Sequence, residues 1–322
     1  METILVTGGA GFIGSNFIRF LFDVDKNTQI VNLDALTYAA NLDYLNTISQ
    51  SPRYTFIKGN ICDKELLKNI FNQYKISKVI NFAAESHVDR SISSPDLFFQ
   101  SNTIGAQLLM EAAKEYWDNN STKDTIFIQV STDEVYGAAP GETYYNEESP
   151  LNPSSPYASS KAAADLIALS YYKTYGFPMI ITRCSNNYGP NQYKEKLIPL
   201  VIHKAMQNEP IPVYGNGLQK RDWIHVKDHC NALYTVLQKG KLGEIYNITA
   251  NNEIINKSLI EDILKYLEKP QSLIKYVEDR LGHDVRYGMD CTKLKTELSW
   301  EPSISFKDGL HSTIQWYSNK IN

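Results

Sequence analysis

A tyrosine followed four positions later by a lysine can do proton chemistry when both lie on one helix face, where the ammonium favours the phenolate and lowers a tyrosine pKa of about 10. Such a tyrosine can accept an alcohol proton as hydride leaves the same carbon. The spacing occurs at Tyr54/Lys58, Tyr74/Lys78 and Tyr157/Lys161. Tyr54/Lys58 falls in a run that reads as a strand, and Tyr74/Lys78 straddles a helix end and a strand start. Only Tyr157/Lys161 opens a long helical pattern. Shortly before it, residues 131–137 read Ser-Thr-Asp-Glu-Val-Tyr-Gly, which sets Asp133 and Glu134 side by side. Neighbouring carboxyl groups split their pKa values, so one can stay protonated as an acid while the other ionises as a base. In an arbitrary protein such a pair is mostly solvated surface; beside a redox site it becomes chemistry.

The redox site is signalled at the start of the chain. Gly8, Gly9, Gly11 and Gly14 fit a G-x-G-x-x-G pattern at 9, 11 and 14 or a wider spacing at 8, 11 and 14. Either register allows a tight turn and a close backbone approach to a pyrophosphate, with the helix N-terminus through Phe12 and Ile13 supplying N–H groups and a positive dipole end. The glycines follow a strand, open a helix, and stand 20 positions before Asp34, counted from Gly14. A carboxylate there can accept from the adenosine ribose hydroxyls. Ala35, Leu36 and Thr37 follow it with no cation, which favours NAD over NADP. Asn60 and Ile61 are placed to flank adenine. Phe82, Ala83 and Ala84, on to Ser86, should pass beneath the nicotinamide half.

These groups need a scaffold, and the pattern supplies one. Strands are expected at 3–7, 29–34, 54–58, 78–84 and 125–131, alternating with helices over about 11–22, from the Asp63 cap onward, over 95–117 after Ser94-Pro95, and over 156–175 after Ser155-Pro156. That alternation predicts an α/β fold, a doubly wound parallel sheet of the NAD-binding Rossmann kind. It also puts Thr132, Asp133 and Glu134 at a strand's carboxyl end, the edge where open α/β sheets bind ligands. After 186 the rhythm loosens. Short strands are expected at 211–215, 222–226 and 244–249, and helices at 228–238, 258–268 and 306–319. The reading is residues 1–185 as the NAD-binding domain and 186–322 mainly as a smaller C-terminal substrate-binding lobe, with some segments able to return to the first domain.

Composition narrows the partners. Lys+Arg number 32 against 36 Asp+Glu, a net charge of -4, which lacks the cationic surplus behind nucleic-acid binding. No apolar run approaches a membrane span, and the first residues lack the basic and small-residue features of an export signal. Cys62, Cys184, Cys230 and Cys291 form no CxxC pair, so the expectation is a reducing cytoplasm. His87 and His283 have no partners at ligand spacing, and no metal is expected.

The opening TGGAGFIG, NFAAESHVDRSI (81–92), STDEVYG (131–137), YASSK (157–161), NNYGP (186–190) and EKLIPL (195–200) together resemble the extended short-chain dehydrogenase/reductase family. Within it they resemble the dTDP-glucose 4,6-dehydratases over nearly the whole chain. The Asp133-Glu134 pair discriminates most, because 4-epimerases and decarboxylases of the superfamily share the glycines and the Tyr/Lys pair but are not expected to carry it. The resemblance implies oxidation at C4, loss of water across C5 and C6, and return of hydride to C6, with NAD unchanged overall. It gives Tyr157 the 4-hydroxyl proton, Thr132 the 4-oxygen and Lys161 the tyrosine and the nicotinamide ribose. Glu134 takes the C5 proton, and Asp133 protonates the departing 6-hydroxyl.

Carried over by position, the residues for the nucleotide sugar dTDP-glucose are Ser86, Thr132, Asn186, Lys196, Leu197, Pro212, Val213, Tyr214, Arg221, Asn256, Asp279, Arg280, Leu281, Gly282 and His283. Ser101 and Asn187 are carried over to NAD. Lys196 and Arg221 suit a diphosphate chemically. The chain departs from the family at Asn60, usually Asp, and at Leu281, usually Pro. The resemblance further implies a homodimer whose long helices, 95–117 and 156–175, pair across a two-fold axis, and a product that feeds L-rhamnose and other deoxysugars of bacterial surface polysaccharide. The competing readings are another nucleotide-sugar 4-epimerase or 4,6-dehydratase, and an NAD-sensing protein without catalysis.

Overall fold

The computed structural model describes residues 2–321. The first strand, β1 (Thr3–Thr7), is buried along its whole length, as a central parallel strand must be. Helix α1 (Phe12–Val24) follows, then β2 (Gln29–Asp34), β3 (Tyr54–Lys58), α2 (Lys64–Tyr74) and β4 (Lys78–Asn81). The Asp63 side chain accepts from Leu66 N–H and caps α2 as its sequence position suggests. Beyond β4 the chain leaves the sheet at Phe82, earlier than the expected strand over 78–84. It then forms α3 (Val88–Ser93) and α4 (Pro95–Phe98).

The expected helix over 95–117 is not uniform. A π-helical segment, Phe99–Gly105, separates α4 from α5 (Ala106–Asn120), and Ser94 makes no capping hydrogen bond although Pro95 takes the first-turn position. The wider turns carry Gln100 and Ser101 to the wall of the central cavity, while Asn102, buried, donates to the Ser160 hydroxyl and bonds both backbone groups of Glu85. A π segment inserts an extra residue that helical periodicity does not register. Strand β5 (Ile126–Thr132) comes next, followed by α6 (Pro156–Tyr175). The Ser155 hydroxyl accepts from Ala158 N–H to cap α6, which ends at Gly176 with φ +67.

The rest of the chain supplies β6 (Met179–Cys184), β7 (Asn186–Tyr188), α7 (Leu197–Met206), β8 (Ile211–Tyr214), β9 (Lys220–His225), α8 (Val226–Lys239), β10 (Ile245–Ile248), β11 (Glu253–Ile255), α9 (Asn256–Tyr266), β12 (Ile274–Val277), α10 (Thr292–Leu298) and α11 (Phe306–Ile321). The main sheet runs β10-β6-β5-β4-β1-β2-β3, with every neighbouring pair parallel. This is the doubly wound Rossmann arrangement. Strand β10 pairs Ile245 with Ile181 at the sheet's edge, and Leu233, Val236 and Leu237 of α8 share a core with Phe17, Ile18 and Leu21 of α1. The stretch 226–248 is therefore built into the first layer. A separate core, including Ile198, Ile202, Val213, Leu259 and Ile263, holds the smaller sheets β11-β9-β7 and β12-β8 against α7 and α9.

Candidate active site

Side chains cannot be accommodated at the turn after β1. Gly8 holds φ +69, and a Cβ there would lie 2.7 Å from Ala83 N; a Cβ on Gly14 would lie 2.3 Å from the Gly8 carbonyl oxygen. This close packing brings the start of α1 to the cavity with no side-chain cap, so its first N–H groups face the cavity without an intrahelical acceptor. Asp34, 7% exposed, accepts from Ala10 N–H at 2.9 Å and from Leu36 N–H at 2.7 Å. Each oxygen keeps a further lone pair for a ribose hydroxyl. An uncapped helix start, a glycine cradle and a fixed carboxylate fit a dinucleotide.

A single cavity of about 610 Å³ runs from these glycines to the ends of β5 and β6. Gly8, Gly11, Phe12, Ile13, Gly14, Asp34, Ala35, Thr37, Asn60, Ile61, Phe82, Ala83, Ala84, Ser86, Ser101 and Asn187 all line it. Leu36 does not: it adopts φ 55 and contributes its backbone N–H to Asp34. Thr132, Asp133, Glu134, Tyr157 and Lys161 line the far end together with Asn186, Lys196, Arg221 and Arg280. The other positions carried over for the nucleotide sugar, Leu197, Pro212, Val213, Tyr214, Asn256, Asp279, Leu281, Gly282 and His283, stand off the cavity wall. Several form a rim behind Arg280: Asp279 pairs with His283 at 2.6 Å, and Tyr214 reaches both His283 and Asp89. Leu281 is 78% exposed.

The acids are positioned by the strand end. After β5 the chain turns at once into a short 3₁₀ helix, Asp133–Tyr136, whose start is held by Glu134 N–H donating to the Thr132 hydroxyl. The same hydroxyl donates to Asp133 Oδ1 at 3.1 Å, and Asp133 Oδ2 is buried without a partner. Burial, and then the Glu134 charge, push Asp133 up to about 8. Burial also raises Glu134, but Arg280, Arg221 and Lys196 all pull it back. Both carboxyls are raised by burial, and three cations, Arg280, Arg221 and Lys196, favour the ionised form of Glu134, whereas only Arg221 is prominent for Asp133. Asp133 is therefore suited to give a proton and Glu134 to take one.

Two expectations change here. Lys161, 4% exposed, donates to the Val130 carbonyl at 2.6 Å, and Tyr157 is raised well above a phenol's usual value. Burial dominates, followed by the Glu134 carboxylate, while the Thr132 hydroxyl works the other way. The ammonium therefore does not prevail over its surroundings in the free protein. Arg221 spends its guanidinium on the Lys220 and Asp284 carbonyls, each at 2.8 Å, and lies over the Tyr287 ring. It serves as a fixed positive wall rather than a free fork. Tyr287 went unread in the sequence; it lines the cavity, donates to Asp284 Oδ2 at 2.9 Å and lies 3.5 Å from Glu134 Oε2. Glu85 and Glu195, which fall inside the marked stretches 81–92 and 195–200 without an assigned role, and Tyr193, which no pattern marked, line the cavity as well.

The family model described as GDP-mannose 4,6 dehydratase matches residues 5–313. The chain belongs to the GDP-mannose 4,6-dehydratase family. A relative from Xanthomonas campestris pv. campestris (strain B100), named dTDP-glucose 4,6-dehydratase, is 48% identical across 98% of this chain and 93% of its own length. A dTDP-glucose 4,6-dehydratase from Bacillus anthracis, solved in complex with NAD, is 48% identical with a TM-score of 0.91, covering 99% of this chain and 97% of that one. DesIV, a dTDP-glucose 4,6-dehydratase of Streptomyces venezuelae solved with NAD bound, is 42% identical with a TM-score of 0.94 over the same shares.

Proposed function

We propose that the protein is a dTDP-glucose 4,6-dehydratase, a hydro-lyase that converts dTDP-D-glucose into dTDP-4-keto-6-deoxy-D-glucose and water with NAD as its resident cofactor. The observation that carries this reading is the split pair, a protonated Asp133 beside a cation-flanked Glu134, in the cavity that Tyr157 and Lys161 also line. Elimination needs an acid and a base on one substrate at once; simple dehydrogenation at C4 needs only the tyrosine and neither member of this pair. NAD supplies the site that takes hydride from C4 and gives it back to C6. Gly8 to Gly14 and Asp34 hold its pyrophosphate and ribose, Asn60 and Ile61 its adenine, and Phe82 to Ser86, Ser101 and Asn187 its nicotinamide half.

Tyr157 accepts the 4-hydroxyl proton, while Thr132 donates a hydrogen bond to the 4-oxygen and Lys161 holds the ribose beside it. Once C4 is a ketone the C5 proton is acidic, and Glu134 removes it. Asp133 protonates the 6-hydroxyl as it leaves, so no hydroxide is expelled. Lys196, Arg221 and Arg280 set the positive potential that receives the diphosphate, and Ser86, Asn186, Asn256 and the rim at 212–214 and 279–283 frame the sugar nucleotide. The Asn256 Oδ1 atom is buried without a partner, which suits a hydrogen-bonding ligand.

The protein works in the cytoplasm as a homodimer on this reading. Leu97, Phe99 and Ile104, at 64%, 39% and 42% exposed, and Leu166, at 57%, display apolar surface on the helices that would pair. The function is tested by incubation with dTDP-glucose, UDP-glucose and GDP-mannose in turn, followed by alkali. A new near-ultraviolet absorbance with dTDP-glucose foremost is expected. A galactose product without water loss, or no turnover of any nucleotide sugar, overturns the reading.

A further inference from the structure

Two segments that both line the cavity are tied to each other by side chains at its edge. Thr37, Ala39 and Ala40 line it after β2, and Gln192, Tyr193, Glu195 and Lys196 line it ahead of α7. Between them, the Tyr38 hydroxyl donates to Glu195 Oε1 at 2.9 Å, and the Tyr38 ring meets that of Tyr193 edge-on with centroids 5.5 Å apart. The Arg90 guanidinium lies 3.9 Å over the Tyr38 ring, and His87 Nε2 stands 3.6 Å from Glu195 Oε2. Lys196 donates to the Ser86 carbonyl at 2.8 Å. Further along, Asn41 N–H bonds Ala10 of the glycine turn, and Asn16 of α1 bonds the Pro190 carbonyl. Three separate loops, from the ends of β2 and β4 and the approach to α7, are thus laced into one strap across the mouth.

We propose that Tyr38 and Glu195 form a clasp that retains the dinucleotide, so that cofactor exchange requires this contact to open. The proposal rests on NAD as resident cofactor. A reaction that must return its hydride gains nothing from cofactor exchange and fails whenever reduced cofactor escapes midway; a hydrogen-bonded strap between segments that line the cavity meets that need. The Tyr38 side chain itself is absent from the cavity wall while both its neighbours are on it, so its hydroxyl holds the strap and not the ligand. Tyr38 is a positioning residue.

The test measures release of bound NAD from the purified holoenzyme, followed by exchange against isotopically labelled NAD, for wild type, Tyr38→Phe, Glu195→Gln and the double variant. One lost hydrogen bond to a charged group corresponds to a roughly tenfold or greater faster exchange in Tyr38→Phe. The double variant should exchange no faster than the faster single one, because both remove the same contact. Melting of the apo forms is followed alongside, and the exchange effect should exceed any change there. Wild-type exchange rates in a well-folded Tyr38→Phe, or strictly multiplicative effects of the two changes, overturn the clasp while leaving the dehydratase reading intact. A wild-type protein that binds no NAD overturns that reading instead.

Discussion

Asp133→Asn tests the division of labour between the acids, and the structure sets its size. Asp133 is 4% exposed and its carboxyl is pushed up to about 8, first by burial and then by the Glu134 charge. An acid catalyst works in its protonated form, so wild-type kcat/KM, which reports the free enzyme, should fall about tenfold per pH unit above pH 8, with a separate acid limb at lower pH where the base Glu134 takes up a proton. In Asp133→Asn, which keeps the shape and cannot give up a proton, turnover should drop by about 10²- to 10⁴-fold. C4 oxidation survives, so reduced cofactor should accumulate in a single turnover. The same substitution should stabilise the fold. The unfolded carboxyl titrates near 3.8 and the folded one near 8, so between those values the folded state binds more protons and stability falls as pH rises. At pH 7 that costs roughly 4 kcal/mol, removed with the carboxyl, and the variant should melt several degrees higher at pH 7 but not at pH 3. An alkaline limb that persists in the variant, or equal melting at both pH values, refutes the assignment of a neutral acid.

Tyr157→Phe should lose turnover by at least about 10²-fold while still binding NAD, read by turnover and by cofactor content; near wild-type turnover would remove the phenol from the mechanism. Glu134→Gln should block water loss after C4 oxidation, so reduced cofactor builds up as in Asp133→Asn, and it too should melt higher at pH 7 than at pH 3 relative to wild type, because burial outweighs the neighbouring cations and holds the Glu134 carboxyl above its usual value. Gly14→Ala would force a methyl against the Gly8 carbonyl at 2.3 Å; it should purify without NAD, and full occupancy in the variant would show that the cradle is wider than it looks.

What was legible in the chain was whatever a local pattern encodes. The parallel strands follow from short buried runs, the α6 start from Ser155 and Pro156, and the dinucleotide cradle from glycines whose Cβ positions are already filled. The acid pair was legible because two adjacent carboxyls at a strand's end have nowhere to go but the ligand edge. Contacts across large sequence separations were not. Tyr287 meets Glu134 from 153 positions away and Tyr38 meets Glu195 across 157, and nothing in a window of sequence marks either. The π segment at Phe99–Gly105 was hidden for another reason: a single wider turn leaves no periodic mark in the sequence, and only the packing of Asn102 between Glu85 and Ser160 shows what the extra residue accomplishes.

Two cations of the cavity wall share one feature, a bond to the backbone that the sequence does not announce. Arg221 has two carbonyls within 2.8 Å and Lys161 has one at 2.6 Å. Residue type predicts charge but not what that charge is spent on. A guanidinium held by two backbone carbonyls stays in place while its field still reaches neighbouring carboxyls, and the Lys161 ammonium, with one carbonyl partner, keeps two further N–H donors. Arg221 lowers both acids, whereas Arg280 and Lys196 are prominent for Glu134 alone, so adjacent acids of nearly equal intrinsic strength stand in different fields. Arg280→Ala should therefore raise Glu134 further, read as a shift of the acid limb of kcat/KM toward higher pH; an unmoved limb would show that the field at Glu134 is set by other groups.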